Sequence, residues 1–177
     1  MAKAAAKTVR KPYRRPRRQP VKGARYWPHG IVLLASLLSM LPIVSLHGWW
    51  PDFAFLFLIA WRLQRPLAFG PWFPPLAGLW NDVLAGHPIG LSVFTFSLAL
   101  LVADLIERRI LSRDFVTEWL VASLMILAAE VIQWWVARAG GADLPITVLA
   151  IPLLTSMLCY PLIARLVSYA DAKRFRR

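Results

Sequence analysis

"GLWNDVLAGHPIG", residues 78–90, is the polar interruption that decides how this apolar chain folds. The stretch closes an apolar segment, yet it contains an amide, a carboxylate, an imidazole and three glycines. Gly86 can end one helix and Pro88 can start the next, since proline suits a first helical turn. Asn81 and Asp82 would then accept hydrogen bonds from the free amides of that second helix. The stretch therefore predicts a tight helical hairpin with polar caps.

The composition outside this stretch indicates an integral membrane protein. Of the 177 residues, 58% are hydrophobic and the mean hydropathy is +0.53. Soluble domains contain roughly 45–50% apolar residues, so a compact globule could not hide this excess. Nine tryptophans fit the same class, because indole favours the membrane–water interface. The single cysteine, Cys159, excludes an intramolecular disulfide and leaves the compartment open.

Six apolar segments can be recognised along the chain. They cover residues 30–47, 48–61, 66–86, 88–106, 115–137 and 144–166. The second segment is short and the third contains four prolines, which transmembrane helices tolerate when neighbouring helices satisfy the freed carbonyls. We therefore expect an all-α membrane protein, a six-transmembrane-helix bundle.

The predicted domain organisation places this bundle between two basic tails. Residues 28–170 form the six-span membrane domain. Residues 1–27 are a basic stretch punctuated by proline, which cannot bury a core and is expected to be a disordered cytoplasmic tail. Residues 171–177 form a second basic cytoplasmic tail.

The distribution of positive charge supports an even number of spans. Ten of the 21 Lys and Arg residues lie within residues 1–25, which contain no acid. With six spans, the opposite side of the membrane would carry only Arg138. The tail side would carry Arg62, Arg65, Arg108, Arg109, Arg113, Arg165, Lys173, Arg174, Arg176 and Arg177. Because cytoplasmic loops are enriched in Lys and Arg, both termini are expected in the cytoplasm.

The N-terminal tail is expected to anchor this topology and to touch anionic lipids. Attraction to anionic headgroups contributes about 1 kcal/mol per basic residue near the surface. The same charge would suit nucleic acid, but we expect no nucleic-acid partner.

Two acids near the predicted tail-side ends have simple structural interpretations. Asp104 lies four residues before Arg108, the spacing at which acid and base meet on a helix surface. Glu118 lies in the first turn of the fifth segment, where a carboxylate interacts favourably with the helix dipole.

Glu130 is less easily explained, because it lies 15 residues into the fifth segment. Gln133 and Trp134 follow it at positions that share its helix face. This polar stripe would point toward the bundle or a partner and away from lipid. A helix–helix hydrogen bond within the protein and a functional or inter-subunit contact both remain open.

No sequence pattern indicates catalysis. The H-E-x-x-H, G-x-S-x-G and Gly-Lys-Ser/Thr phosphate-loop motifs do not occur, and the three histidines are scattered. Prenyl transfer in membranes uses paired Asp-rich motifs, whereas "NDVLA" has one Asp. We expect no enzyme, and hence no catalytic, cofactor-binding or metal-binding residues.

The central stretch resembles the MreD family of rod shape-determining membrane proteins. Gly78, Asp82, Gly86 and Gly90 stand at the marked positions of its G-x-x-x-D-x-x-x-G-x-x-x-G pattern. Looser similarities are the short "PDFAFLFLIAW" span, "AEVIQWW" in the fifth segment and "YPLIARLV" in the last. The resemblance covers the chain from about residue 30 to its end.

This resemblance implies a function and a fold. Members are scaffolds or regulators of the rod complex, or elongasome, which supports lateral peptidoglycan synthesis and cell shape. The partner would be MreC and, through it, MreB, RodA and a class B penicillin-binding protein. The family fold is similar to the substrate-binding subunits of energy-coupling-factor vitamin transporters.

That fold similarity leaves an alternative function: a substrate-capturing subunit of a vitamin transporter. It would need an outward cavity lined by the few available polar groups, which are Asn81, Asp82, His87, Glu130 and Gln133. Under the scaffold hypothesis, the structural and partner-contact candidates are Gly78, Asn81, Asp82, Gly86, Pro88, Gly90, Glu130, Gln133 and Trp134.

Overall fold

A computed structural model describes residues 26–40, 51–107 and 114–174, and these residues form an all-helical bundle without strands. Most of the predicted N-terminal tail, Arg108, Arg109, Arg113, and the final residues lie outside them. The elements are α1 (Trp27–Ser36), a 3₁₀ turn (Leu37–Met40), α2 (Phe53–Gln64), α3 (Phe73–Ala85), α4 (Leu91–Glu107), α5 (Phe115–Ala139), a second 3₁₀ turn (Ile146–Leu149) and α6 (Ala150–Arg174). The sequence prediction of an all-α protein is confirmed for this part of the chain.

Local sequence explains where several helices begin and end. Asp52 caps α2, with its Oδ1 accepting a hydrogen bond from the Phe55 amide at 3.1 Å. Two prolines in its first turn set the start of α3 at Phe73, so this helix is shorter than the predicted segment 66–86. The last helix instead runs past the predicted span, to Arg174.

Two helices are long and apolar enough to cross a bilayer. They are Phe115–Ala139 and Ile146–Lys173, the latter counting the 3₁₀ turn with α6. By contrast, α3 has 13 residues, a rise of about 20 Å against a hydrocarbon core of ~30 Å. Helix length in the described ranges therefore accounts for two full crossings, and the count of six stays a prediction.

The helix α2 lies at the centre of the bundle and packs against α1, α4, α5 and α6. Its residues from Leu58 to Trp61 are almost completely buried. The other helices surround it and leave apolar side chains on the outside. On α5 and α6, for example, Leu120 and Leu158 are 61% and 73% exposed. An outer surface of this kind suits hydrocarbon better than water.

Polar side chains collect at the two ends of the bundle. The glycine-loop end contains Asp52, the α3–α4 hairpin and the C-terminal part of α5. The arginine end contains Arg62, Arg65, the end of α4, the start of α5 and the end of α6. His29 of α1 packs against Phe69 and Phe73, just before and at the start of α3. Successive helices therefore alternate in direction.

Candidate functional site

The α3–α4 hairpin is built on two glycines with positive φ. Gly86 ends α3 in the left-handed conformation at φ 69°, and Gly90 precedes α4 at φ 106°. The His87 amide donates to the Asp82 carbonyl at 3.1 Å, which closes the end of α3. The turn is the one expected, but Pro88 does not start the next helix. It lies in the turn, since α4 begins at Leu91.

The carboxylate of Asp82 joins α3 to the start of α4. Its Oδ2 accepts from the Gly90 amide and its Oδ1 from the Ser92 amide, each at 2.8 Å. The side chain is 1% exposed, so both bonds are made away from solvent. A carboxylate here satisfies free amides and meets the positive end of the α4 dipole. The expected capping role of Asp82 is therefore present.

Asn81 has a different role from the expected one. It does not accept from α4 amides; its Nδ2 donates to Asp52 Oδ2 at 2.9 Å and to Ser92 Oγ at 3.2 Å. This one amide group thus ties α2, α3 and α4 together. Its own Oδ1 is buried and has no hydrogen-bond partner among the described residues. The prediction was wrong because it considered only the adjacent helix and missed Asp52.

Gly78 brings the backbones of α3 and α4 into contact. A Cβ atom at this position would lie 2.5 Å from the Ser92 carbonyl oxygen and 2.6 Å from Val93 Cα. No side chain fits such a gap without separating the helices. Gly78, Asn81 and Asp82 therefore fix α3 against α4 along one face, and the two glycines of the turn complete the hairpin.

A cavity of about 270 Å³ brings the hairpin together with the polar stripe of α5. His87 and Pro88 contribute from the hairpin, and Glu130, Gln133 and Trp134 from α5. The structure thus places two groups of residues, predicted separately, around one space. Asn81 and Asp82 lie in the helix contacts and do not line it.

Trp134 fixes one wall of this cavity. Its Nε1 donates to the Leu144 carbonyl at 3.1 Å, which links α5 to the segment before α6. The Arg138 guanidinium lies 5.3 Å from the centroid of the indole ring, within cation–π range.

Glu130 and Gln133 differ from Trp134 because their polar groups are uncommitted. Within residues 26–40, 51–107 and 114–174, neither side chain makes a hydrogen bond or ion pair. Glu130 also lies within electrostatic range of Asp52. A carboxylate without a partner in a bilayer-length helix is costly. Glu130 and Gln133 can therefore accept a hydrogen bond from a donor outside the described helices.

At the arginine end, Asp104 has a partner that the sequence spacing did not reveal. Arg62 of α2 forms ion pairs with Asp104 and, at 3.0 Å, with Glu107 Oε2. The predicted partner, Arg108, lies outside the described residues. Arg65 binds Asp171 of α6, with its Nε 2.7 Å from Oδ2. Asp104 therefore makes a tertiary ion pair with Arg62, and its local pair with Arg108 stays a prediction.

Glu118 also makes tertiary contacts. Its Oε1 accepts from the Tyr160 hydroxyl at 3.0 Å and, more weakly, from Gln64 Nε2 at 3.5 Å. The same Gln64 nitrogen donates to the Ala164 carbonyl at 2.8 Å. These residues connect α2, α5 and α6. Across the part of the chain that the structure describes, His, Cys, Asp and Glu form no group suited to hold a metal ion.

Apolar outer faces joined to two polar ends fit a helical membrane protein. Comparison with known families narrows this class. The family model described as rod shape-determining protein MreD matches residues 26–167, most of the chain. The chain belongs to the MreD family, which confirms the resemblance read from the hairpin.

Family membership gives the chain a role in rod shape determination. The family is a membrane protein family and is not known as enzymatic. No curated protein and no solved structure gives a significant match to the chain. The similarity to transporter subunits therefore remains a prediction.

Proposed function

We propose that this protein is a non-catalytic scaffold of the rod complex in the bacterial inner membrane, supporting lateral peptidoglycan synthesis through MreC. MreB, RodA and a class B penicillin-binding protein would be reached through MreC. The basic N-terminal tail would add contacts with anionic lipids. The family match supports a role in rod shape determination, and the cavity at the glycine-loop end supports a contact site for MreC there.

The observation that carries the contact site is the uncommitted pair of Glu130 and Gln133. In hydrocarbon, polar side chains are stabilised when a neighbouring helix supplies a complementary group, at about 1 kcal/mol per hydrogen bond. Lipid tails cannot supply one. Ile89, next to Pro88 in the turn, is 80% exposed and adds apolar contact area beside the cavity. Polar groups inside an apolar rim suit a partner helix that carries a donor.

The hairpin would determine whether this surface has the right shape. Asp82 and Gly86 hold the turn that carries His87, Pro88 and Ile89. A change in the turn would move one wall of the cavity without altering the acid on the other wall.

Co-purification with MreC tests the contact directly. We expect Glu130→Leu to reduce recovery of MreC about tenfold, the equivalent of one charge-assisted hydrogen bond. Asp143→Leu is the matched control, because Asp143 is an exposed acid after α5, close in sequence to the cavity but not lining it. Equal losses in both variants would contradict a specific role for Glu130.

Two hairpin variants test the other wall. Asp82→Ala removes two cap bonds, and Gly86→Leu places a side chain at φ 69°, where only glycine is unstrained. Both should impair assembly with MreC while the chain still inserts into the membrane. Normal co-purification by these variants and by Glu130→Leu would refute the proposed site.

The vitamin-transport alternative has weaker support. The cavity of about 270 Å³ is below the roughly 300–1,000 Å³ usual for ligand pockets. Two of the five polar groups that this function would need, Asn81 and Asp82, are held in helix contacts. Saturable binding of a vitamin to the purified protein would revive this alternative.

A further inference from the structure

The seam between α4 and α5 contains two adjoining cavities of different character. The helix α4 packs closely on α3 but loosely on α5. At the arginine end the seam opens into a polar cavity of about 430 Å³. A smaller apolar cavity of about 200 Å³ follows toward the glycine-loop end. Val121 lines the first and Leu124, one helical turn on, lines the second, so the cavities are neighbours.

The described residues contribute balanced charge to the polar cavity. Their guanidinium groups belong to Arg62 and Arg165, and their carboxylates to Glu107 and Glu118. Arg62 and Glu107 already pair with each other across the seam. Among the described residues, a ligand would therefore meet one further cation and one further anion, Arg165 and Glu118.

Three polar groups of this cavity have bonding capacity left. Glu118 uses only Oε1 in the bonds from Tyr160 and Gln64, so Oε2 is available. The Thr117 hydroxyl and the exposed Arg165 guanidinium make no hydrogen bond or ion pair to any residue that the structure describes. An acceptor for a cation thus lies in the same cavity as two donors for an anion.

The apolar cavity runs along the helix axis. Its lining residues on α5 reach from Leu124 to Ile132, a rise of about 12 Å, which fits within one ~15 Å leaflet. Small residues such as Ala99 and Ala128 form its walls, and Phe55 of α2 contributes to its lining. A partner helix is about 10–12 Å wide with its side chains, too wide for a cavity of this volume.

We propose that this seam binds one molecule of phosphatidylethanolamine from the bilayer. The ammonium group lies at Glu118, the phosphate is held by Arg165 and Thr117, and one acyl chain fills the apolar cavity beside Ala128. The balanced lining favours a zwitterionic headgroup, because an anionic lipid would leave Glu118 without a cation and add repulsion. This site is separate from the MreC contact at the glycine-loop end.

Native mass spectrometry of the purified full chain, with defined lipids added, tests this proposal. In an equimolar mixture of phosphatidylethanolamine and phosphatidylglycerol, we expect one tightly held phosphatidylethanolamine, preferred about tenfold. Glu118→Gln should bring this preference close to unity. Arg165→Gln should lower the occupancy of both lipids, whereas Arg138→Gln, at the other end of α5, should change neither.

Filling the apolar cavity gives a test that does not involve charge. Ala128→Leu should lower lipid occupancy several-fold, and Ala139→Leu, also exposed on α5 but outside the cavity, should leave it unchanged. Because Glu118→Gln could weaken the contact with Tyr160, Thr117→Val serves as a second polar variant, which should lower the occupancy of both lipids as Arg165→Gln does. A preference for phosphatidylglycerol, or equal effects of the two leucine variants, would overturn the proposal.

Discussion

At the scale of single residues, the hairpin glycines serve two different physical needs. Gly86 and Gly90 supply positive φ, and a Cβ on either would meet no atom within 4 Å. Gly78 is part of a regular helix, but a Cβ there would collide with backbone. In the sequence these glycines look equivalent, at intervals of eight and four residues. Only the packing of neighbouring helices shows that Gly78 is required because a side chain would not fit, whereas Gly86 and Gly90 are required for their positive φ angles.

This distinction predicts the effect of one added methyl group. Gly78→Ala should destabilise the protein by about 1–3 kcal/mol or more, since rigid backbone and not a flexible side chain must move. Gly30→Ala is the matched control, because Gly30 is also helical and has no atom within 4 Å of the added Cβ. Alanine should be neutral or slightly stabilising there. Thermal unfolding in detergent measures both, and an equal melting temperature for the two variants would contradict the close approach.

Asn81 and Asp82 are adjacent, but their hydrogen-bond partners lie at very different distances along the chain. Asp82 caps the helix ten residues ahead, and the polar turn pointed to this role. Asn81 donates to a side chain 29 positions earlier in the chain. Asp52 caps α2 with one oxygen and accepts the bond from Asn81 with the other. No short stretch of sequence pairs Asn81 with Asp52, because the two residues meet only when the helices pack.

At the scale of elements, α2 has a more central position than its length suggests. The second apolar segment was one of two atypical spans in the sequence, because it is short, yet its 12-residue helix forms the buried centre of the bundle. Polar residues hold it at both ends: Asp52 to Asn81 at one end, and Arg62 with Arg65 to α4 and α6 at the other. A short helix can occupy this position because longer neighbours surround it.

Breaking the Arg62 ion pairs should loosen α2. Arg62→Gln leaves two carboxylates facing each other, and we expect a loss of about 1–3 kcal/mol of unfolding free energy, below the cost for fully buried pairs because Asp104 is half exposed. The triple variant Arg62→Met, Asp104→Leu and Glu107→Leu should recover part of this loss. Chemical denaturation in mild detergent measures both. If the triple variant is less stable than Arg62→Gln, unpaired charge is not the cause.

At the scale of the whole molecule, the alternating helix directions agree with the charge distribution. The start of α1 and the end of α6 lie toward the arginine end, and the segment between α5 and α6 lies at the glycine-loop end. Of the arginines identified in the sequence, Arg62, Arg65 and Arg165 lie in the described ranges and at this same end of the bundle. This arrangement is the basis for predicting cytoplasmic termini.

Cysteine labelling tests this orientation. With Cys159→Ser as background, Asp143→Cys should react with a membrane-impermeant maleimide in intact spheroplasts, whereas Lys173→Cys should react only after lysis. Both positions are exposed, so accessibility within the protein is matched. The reverse labelling pattern would contradict the orientation.

The sequence alone determined the properties that depend on local composition. Apolar blocks, the positions of glycine and proline, and clustered charge indicate the membrane environment, the helices and the α3–α4 hairpin. Each of these signals acts over a few residues. Tertiary structure decided which polar groups meet. The Arg62–Asp104 pair joins residues 42 positions apart, and the Glu130 cavity needs four helical segments to converge. Such contacts depend on how helices cross, and helix crossing is set by packing along whole helix faces rather than by any short stretch of sequence.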